Sequence, residues 1–276
     1  RLENRENPFT EQHVATLDDL VFLPANLSRL VIDPYREGCV TATSFGSIQS
    51  LELDIPFTVA GFDDAPGEIQ ESVAKSIVTH GAAYIGARPL GAGAKWIQVV
   101  SAEVDPAADA IVVSAQQAIA AGKVSRAQPQ QPAGLLVNSG NVEAAVDFAL
   151  AQSLDFLLLD PTNGLPGLAG ELAGAPDISI LNRAVAYLRK LDREEEVDLV
   201  YFGGLRTGTD AAKILALGTI AVTVGAAMVL SLGADISSGN PVFNANLDAS
   251  EREERSSNLL QAFTAEASMM ARCTGK

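Results

Sequence analysis

One stretch of the chain, from Val197 to Leu230, constrains the fold more than any other. Val197–Phe202 is a short apolar run rich in β-branched and aromatic residues, and Thr219–Val224 repeats the pattern. Such runs predict strands that are buried on both faces. The residues between them predict a helix over Thr209–Leu217, which Gly218 ends. A strand, a helix and a second strand in this order are typical of a parallel α/β fold.

The turns after these two strands are rich in glycine, and one of them carries an arginine. Thr207 and Asp210 have the spacing of a capping box, so a helix N-terminus follows the first turn. Bare backbone N–H groups, a helix dipole and one cation suit a phosphate, and two such turns side by side are typical of the loops after strands seven and eight of a (β/α)8 barrel. The alternative is that Gly203-Gly204 is only a tight turn. The predicted phosphate-binding residues are Gly203, Gly204, Arg206, Thr207, Gly208, Gly225, Ala226 and Ala227.

The rest of the chain supplies six more runs of strand type, which makes the eight that such a barrel requires. We therefore predict an α/β fold, a (β/α)8 TIM barrel over residues 56–234, with an N-terminal lead-in over 1–55 and a C-terminal loop and closing helix over 235–276. Ser250 is the predicted cap of that helix, residues 119–132 are a predicted loop, and residues 162–176 are a predicted mobile loop. The six runs are Ile55–Phe62, Ala82–Ala87, Trp96–Ala102, Ala110–Ala115, Gly134–Ser139 and Asp155–Asp160.

Composition and charge disfavour a membrane protein, a nucleic-acid-binding protein and a disulfide-rich protein. Ile214 to Ala234 has no charged residue and is long enough for a membrane span, but Gly218, Gly225 and Gly233 divide it, so we predict no membrane segment. A net charge of −15 disfavours nucleic acid as a partner. With 2 cysteines there is no disulfide framework and no metal site of cysteines, which favours a cytoplasmic protein. The chain starts at Arg1 without a signal segment, so we expect a fragment or a processed product.

Several motifs together resemble the FMN-binding synthase domain of glutamate synthases and glutamate-synthase-like proteins. The resemblance covers nearly the whole chain in order, and its motifs are DDLVFLPANLSRLVIDPYREGC, LDIPFTVAG, YFGGLRTGTDAAKILALG, VGAA and ARCTGK. It implies a (β/α)8 barrel that binds FMN at the strand C-termini and reduces an imine formed from 2-oxoglutarate and ammonia. It also implies that the two glycine-rich turns hold the FMN phosphate and that Ala60 and Gly61 lie against the flavin ring.

The chain departs from this family at the flavin ring and the substrate. Asn138 stands where the family has a lysine that reaches the flavin, and a neutral amide stabilises a reduced, anionic flavin less well. Arg88-Pro89-Leu90-Gly91 replaces a glycine-rich motif after strand two, and residues 116–132 replace a long substrate segment. The family's cluster-ligating cysteines are absent, so we expect no iron–sulfur cluster.

Other polar residues are predicted at the barrel mouth, but each has an ordinary structural explanation. Asp63 or Asp160 is a candidate proton acceptor, though Asp is also favoured as a helix cap or in a turn. No catalytic residue can be assigned and no metal site is predicted. The predicted mouth residues are Asp63, Arg88, Glu103, Gln116, Asn138, Asp160, Asn163 and Arg206.

Two functions remain open from the sequence. In the first, the chain is a shortened FMN oxidoreductase that acts on a small-molecule substrate and takes electrons from a partner, with an amidotransferase subunit as another candidate partner. In the second, it is a catalytically impaired flavin-binding or scaffolding subunit of a larger complex. We predict that oxidoreductase activity of the isolated chain is weak. An oligomeric state stays open.

Overall fold

The computed structural model describes residues 14–23, 39–237, 240–243 and 246–274, and its centre is a closed barrel of eight parallel strands. The strands follow one another around the barrel in chain order, and the last barrel strand closes it by pairing with the first through Val222 and Phe57. The prediction of a (β/α)8 barrel is confirmed. The barrel strands are β3 (Phe57–Ala60), β4 (Ala83–Gly86), β5 (Lys95–Val100), β6 (Ala110–Ser114), β7 (Ala133–Val137), β8 (Phe156–Leu159), β9 (Asp198–Phe202) and β10 (Ala221–Val224).

Helices cover the barrel unevenly. The connections from β4 to β5 and from β5 to β6 contain no helix, which agrees with the short segments seen there in the sequence. The helices are α1 (Gly67–His80), α2 (Ala115–Ala121), α3 (Val142–Ala151), α4 (Ala169–Leu172), α5 (Ser179–Leu191), α6 (Gly208–Ala216), α7 (Ala226–Ser231) and α8 (Ala249–Thr274).

Three local predictions need correction. Within the predicted lead-in, Thr43–Phe45 (β1) and Leu51–Leu53 (β2) pair as an antiparallel hairpin, which short mixed segments do not reveal. The loop predicted from residue 119 begins inside α2, a short helix of alanine and glutamine whose left-handed end is Gly122. Asp248 caps α8 instead of Ser250, because its side chain accepts the Glu251 N–H at 2.8 Å.

The long helix α8 closes the structure by packing on α1 and α6. Phe263 meets Phe57 of β3 edge-on, with ring centroids 6.0 Å apart, and the buried hydroxyls of Ser76 and Ser256 lie 2.5 Å apart. Gly208, the first residue of α6, lies so close to the Phe263 backbone that a side chain there would collide. The predicted closing helix is therefore an integral part of the packing around the first and last barrel strands.

The apolar stretch that resembles a membrane span is divided as its glycines predict. It contains the end of α6, the buried strand β10 and the short helix α7. None of the helices in the described parts of the chain is long and apolar enough to cross a membrane.

Candidate functional site at the barrel mouth

The predicted site residues lie at or just after the carboxyl ends of barrel strands, which in a parallel barrel meet at one end. Gly61 follows β3, Asn138 follows β7, and the two glycine-rich turns follow β9 and β10. Gly203 and Gly204 have φ angles of 119° and 74°, in the left-handed region that favours glycine. This backbone turns the chain sharply away from β9 and directs the Gly204 N–H into the mouth.

The turn after β9 then starts a helix, as predicted. Thr207 is the N-cap of α6, and its hydroxyl accepts the Asp210 N–H at 3.1 Å. The Asp210 carboxylate contacts Arg206 rather than the Thr207 N–H, so only half of the predicted capping box forms. The Gly208 N–H bonds to Glu266 of α8 at 2.8 Å. The N–H groups of Arg206 and Gly208 therefore have partners of their own.

Two backbone N–H groups, from Gly204 and Ala226, converge on one anion, and that anion belongs to the chain itself. Glu171 of α4 accepts the Gly204 N–H at 2.9 Å with Oε1 and the Ala226 N–H at 2.7 Å with Oε2. Its side chain is buried. We call these two N–H donors the anion cradle. The cradle lies between the loops after the seventh and eighth strands, where barrel enzymes commonly bind phosphate.

No cation neutralises Glu171 among the residues that the structure describes. Burial raises the pKa of its carboxyl, and the charge of Asp160 adds to that, while the hydrogen bonds from Ala226 and Gly204 act in the opposite direction. A buried carboxylate normally requires a paired charge or several hydrogen bonds. Here the backbone donors of the cradle supply the compensation.

Leu168, just before α4, fills the space beside Gly61. A side chain on Gly61 would collide with the Leu168 side chain, and one on Gly225 would collide with both Leu168 and Glu171. Leu168 is 4% exposed. Gly61, one of the two residues predicted to lie against a flavin ring, therefore lies beneath the chain's own leucine, and the other, Ala60, is buried.

Comparison with known proteins identifies the family. The family model described as the conserved region in glutamate synthase matches residues 115–275. The chain belongs to the glutamate synthase family. It is also similar to a "Glutamate synthase large subunit-like protein" of Rhizobium meliloti (strain 1021), with 25% identity in an alignment 370 positions long that covers 97% of this chain and 83% of that protein.

Solved structures with the same fold include two groups of flavin enzymes. A mutant flavocytochrome b2 with sulfite bound superposes with a TM-score of 0.63 at 13% identity, covering 94% of this chain and 73% of that one. A mutant mandelate oxidase, solved with an FMN adduct, gives a TM-score of 0.62 at 16% identity and covers 94% and 84% of the two chains. At this level of identity the likeness is one of fold.

Arg206 of this glutamate synthase family member lies at the edge of the cradle, held by two carboxylates. Its guanidinium contacts Asp18 at 2.5 Å and Asp210 at 3.1 Å, and its side chain is 57% exposed. The hydrogen bonds from Arg206 lower the pKa of Asp18. The pair with Asp18 is exposed on both sides and contributes little to stability, so another anion can replace Asp18, whereas the Asp210 carboxylate is buried.

An open, mainly apolar pocket of about 570 Å³ adjoins the cradle. Arg206 and Asp18 line its rim, Glu171 and Ala226 line its inner end, and Leu230 contributes to its apolar wall. Ala227, the last residue of the predicted second turn, also lines it, as the second residue of α7. A ligand in the cradle would therefore be reached from solvent through this pocket.

The other predicted mouth residues are mostly committed to structure. Asp63 accepts hydrogen bonds from the Tyr84 hydroxyl at 2.9 Å and the Ala87 N–H at 2.8 Å, and Asp160 accepts three donors from Thr162 and Leu165. Arg88 forms an exposed pair with Asp64. These carboxylates shape turns, which is the structural alternative that the sequence left open. Glu103 and Gln116 are exposed, and Asn163 is exposed with a φ of 54°.

Asn138 lies beside a small cavity of about 160 Å³, which Asp160, Asn163 and Ser114 also line. Its side-chain oxygen accepts the Gly140 N–H at 3.1 Å, which stabilises the turn after β7. The position is therefore at the barrel mouth, as predicted, with a neutral amide in place of a cation.

Two residues that matter most at this mouth, Leu168 and Glu171, were not predicted as site residues. They lie in the predicted mobile loop, which in the structure contains α4 and buries both side chains. Glu171 is the lone charged residue between Asp160 and Asp177. That isolation is a signal in the sequence, since a charge in a segment of glycine, proline and apolar residues needs a partner.

Proposed function

We propose that this chain is an FMN-binding oxidoreductase domain of the glutamate synthase kind, which reduces an imine to an amino acid with electrons from a partner. The observation that carries the proposal is the anion cradle, in which the N–H groups of Gly204 and Ala226 converge on one anionic group. Family membership and the flavin enzymes that share the fold support it.

The cradle fits a phosphate in chemistry and in position. Glu171 stands in for the anion, because its two oxygens occupy the points that two phosphate oxygens would take. The Gly204 and Ala226 N–H groups would hold the phosphate, with Arg206 swinging in from Asp18, and the glycines at 61 and 225 would leave room for the rest of the group. The space itself is filled by Leu168 and Glu171, so α4 must move first.

The residues near the proposed position of the flavin ring, Asn138 and Asp160, affect the expected rate of the proposed reaction. Bound FMN would supply the hydride chemistry. Asn138 contributes an amide dipole and no positive charge, so the chain stabilises a negative charge near β7 only weakly. Asp160 is fully engaged with turn donors and is not free to move a proton. We therefore expect slow turnover in the isolated chain.

Because the mouth is filled, a second candidate function is also favoured. In it, the chain is a catalytically impaired subunit whose barrel serves to contact other subunits of a larger complex. In that case the Glu171 carboxylate is a permanent replacement for the phosphate. In this scaffolding form the second candidate does not bind FMN, so FMN binding separates it from the oxidoreductase.

Titration of FMN, followed by quenching of flavin fluorescence, tests the proposal. Removal of a charged hydrogen bond costs about 1.5–3 kcal/mol, so Arg206→Ala should weaken FMN binding roughly 10- to 100-fold. Arg189→Ala is the matched control, since it removes the same charge from an exposed pair with Glu194 on the outer helix α5. Equal affinities of the two variants would show that Arg206 does not contact the phosphate. Failure of every form of the chain to bind FMN would favour the impaired subunit.

A further inference from the structure

We propose that residues 162–176, here called the mouth segment, form a built-in plug that occupies the FMN site, so that flavin binds only when this segment leaves the barrel mouth. This inference rests on the proposed function and adds a competition to it. Glu171 takes the place of the phosphate, and Leu168 takes the place of part of the group beside Gly61.

The phosphate end of the plug is a direct substitution of one anion for another. Glu171 uses the Gly204 and Ala226 N–H groups at 2.9 and 2.7 Å, which leaves neither donor for a ligand. A carboxylate and a phosphate cannot share two donors at these distances, because both are negatively charged. Occupation of the cradle by a ligand phosphate therefore requires that Glu171 move away.

The ring end of the plug excludes a ligand by its volume. Leu168 packs against Gly61 and Gly225 so closely that even a methyl group on either glycine would collide with it. A flat ring against Gly61 would need the same space. Leu168 is the N-cap of α4 and Glu171 is its third residue, so one displacement of this short helix clears both ends.

The mouth segment is built to move as a unit. It contains four glycines and two prolines, and its regular structure is limited to the four residues of α4. It is anchored at one end by the turn in which Asp160 binds Thr162 and Leu165, and at the other by Pro176 packing beside Gly203 and Gly204. Between these anchors, the hydrogen bonds of Glu171 join α4 to the cradle.

Two variants separate the ends of the plug. Leu168→Ala opens the ring end, and Glu171→Gln removes the charge from the cradle while it preserves the side-chain volume. Their controls are Leu217→Ala, which trims a partly exposed leucine at the end of α6, and Glu195→Gln, which removes an exposed charge before β9. FMN affinity is measured for all five proteins by flavin fluorescence, after circular dichroism has shown that each is folded.

If the segment is a plug, Leu168→Ala and Glu171→Gln bind FMN at least 10-fold more tightly than the wild type and the two controls. Inorganic phosphate, used as a competitor, distinguishes the ends, because Glu171→Gln should raise phosphate affinity more than Leu168→Ala does. Proteolysis of the wild-type chain tests the inference without any substitution. FMN should accelerate cleavage after Glu171 by a glutamate-specific protease, since displacement exposes a buried residue.

The outcomes separate this inference from the proposed function. Equal FMN affinities in all five proteins, or slower cleavage after Glu171 when FMN is added, would overturn the plug and leave the FMN function standing. Absence of FMN binding in every protein, including both plug variants, would overturn the proposed function and the plug with it.

Discussion

Asp155 stabilises the end of the barrel opposite the mouth, and its replacement by alanine should be among the more costly substitutions in the chain. The carboxylate is 8% exposed and precedes β8. It accepts the N–H and the hydroxyl of Ser47, both at 2.7 Å, the Ala133 N–H at 2.9 Å and the Arg126 guanidinium at 2.9 Å. One side chain thus joins the lead-in hairpin, the start of β7 and the loop before it.

The expected loss of stability comes from the groups that Asp155→Ala leaves without their partner. Loss of one partner from a buried ion pair costs about 3–5 kcal/mol, because the remaining charge is buried without compensation. Solvent reduces that figure here, since the Arg126 side chain is 23% exposed. The buried Ala133 N–H also loses its acceptor, which adds about 1–3 kcal/mol. We expect the free energy of unfolding to fall by about 3 kcal/mol.

Urea unfolding at pH 7, followed by circular dichroism, measures the change. Asp109→Ala is the control, because this exposed carboxylate precedes β6 in the same way but accepts the Trp96 N–H alone, at 2.7 Å. Loss of that one bond should cost about 1 kcal/mol. Equal losses in the two variants, or a loss below about 1 kcal/mol for Asp155→Ala, would refute the reasoning that the four contacts act together.

Two further predictions concern polar groups in the barrel strands, namely the half-buried Asp198 and two buried tyrosine hydroxyls. Burial raises the pKa of Asp198 to about 6, and the charge of Asp155 is the second cause of this shift. The folded chain therefore binds more protons than the unfolded chain between about pH 4 and pH 6. Asp198→Asn should therefore have a higher free energy of unfolding than the wild type at pH 8, and the difference should be smaller at pH 5. Urea titrations at the two pH values measure this difference, and a larger difference at pH 5 would contradict the prediction. Among the residues that the structure describes, the buried Tyr201 hydroxyl has no hydrogen-bond partner, whereas the Tyr84 hydroxyl donates to Asp63 and accepts the Phe62 N–H. Tyr201→Phe should leave the free energy of unfolding unchanged or raise it by about 1 kcal/mol, whereas Tyr84→Phe should lower it by about 1–3 kcal/mol. Thermal unfolding of both variants measures the difference, and the reverse order would contradict the prediction.

The strands were predictable because each is a short apolar run between breakers. Val197–Phe202 and Thr219–Val224 were assigned from composition alone, and the structure places β9 and β10 inside these bounds. Strands buried on both faces are apolar along most of their length, so the signal does not depend on the contacts of any single residue. The hairpin of β1 and β2 was missed for the opposite reason, since its pairing depends on residues that alternate over only three positions.

The cap of α8 shows a different limit. Ser250 and Asp248 are both good N-caps, and the choice between them depends on where the helical backbone begins. The structure starts α8 at Ala249, so Asp248 is in position to accept the Glu251 N–H. A shift of two residues lies within the precision of any helix boundary read from sequence.

Glu171 could not be placed from sequence because its partners are distant along the chain, 33 residues away at Gly204 and 55 at Ala226. The glycine-rich turns correctly indicated backbone donors that attract an anion, but the pattern does not say whether that anion is a ligand or a side chain. The electrostatic argument is the same for both, since the donors respond to charge and distance alone. An isolated acidic residue in a glycine-rich segment, with no basic residue near it in the sequence, is therefore a candidate internal competitor for such turns. In this chain the segment from Asp160 to Asp177 contains one such residue, and it occupies the cradle.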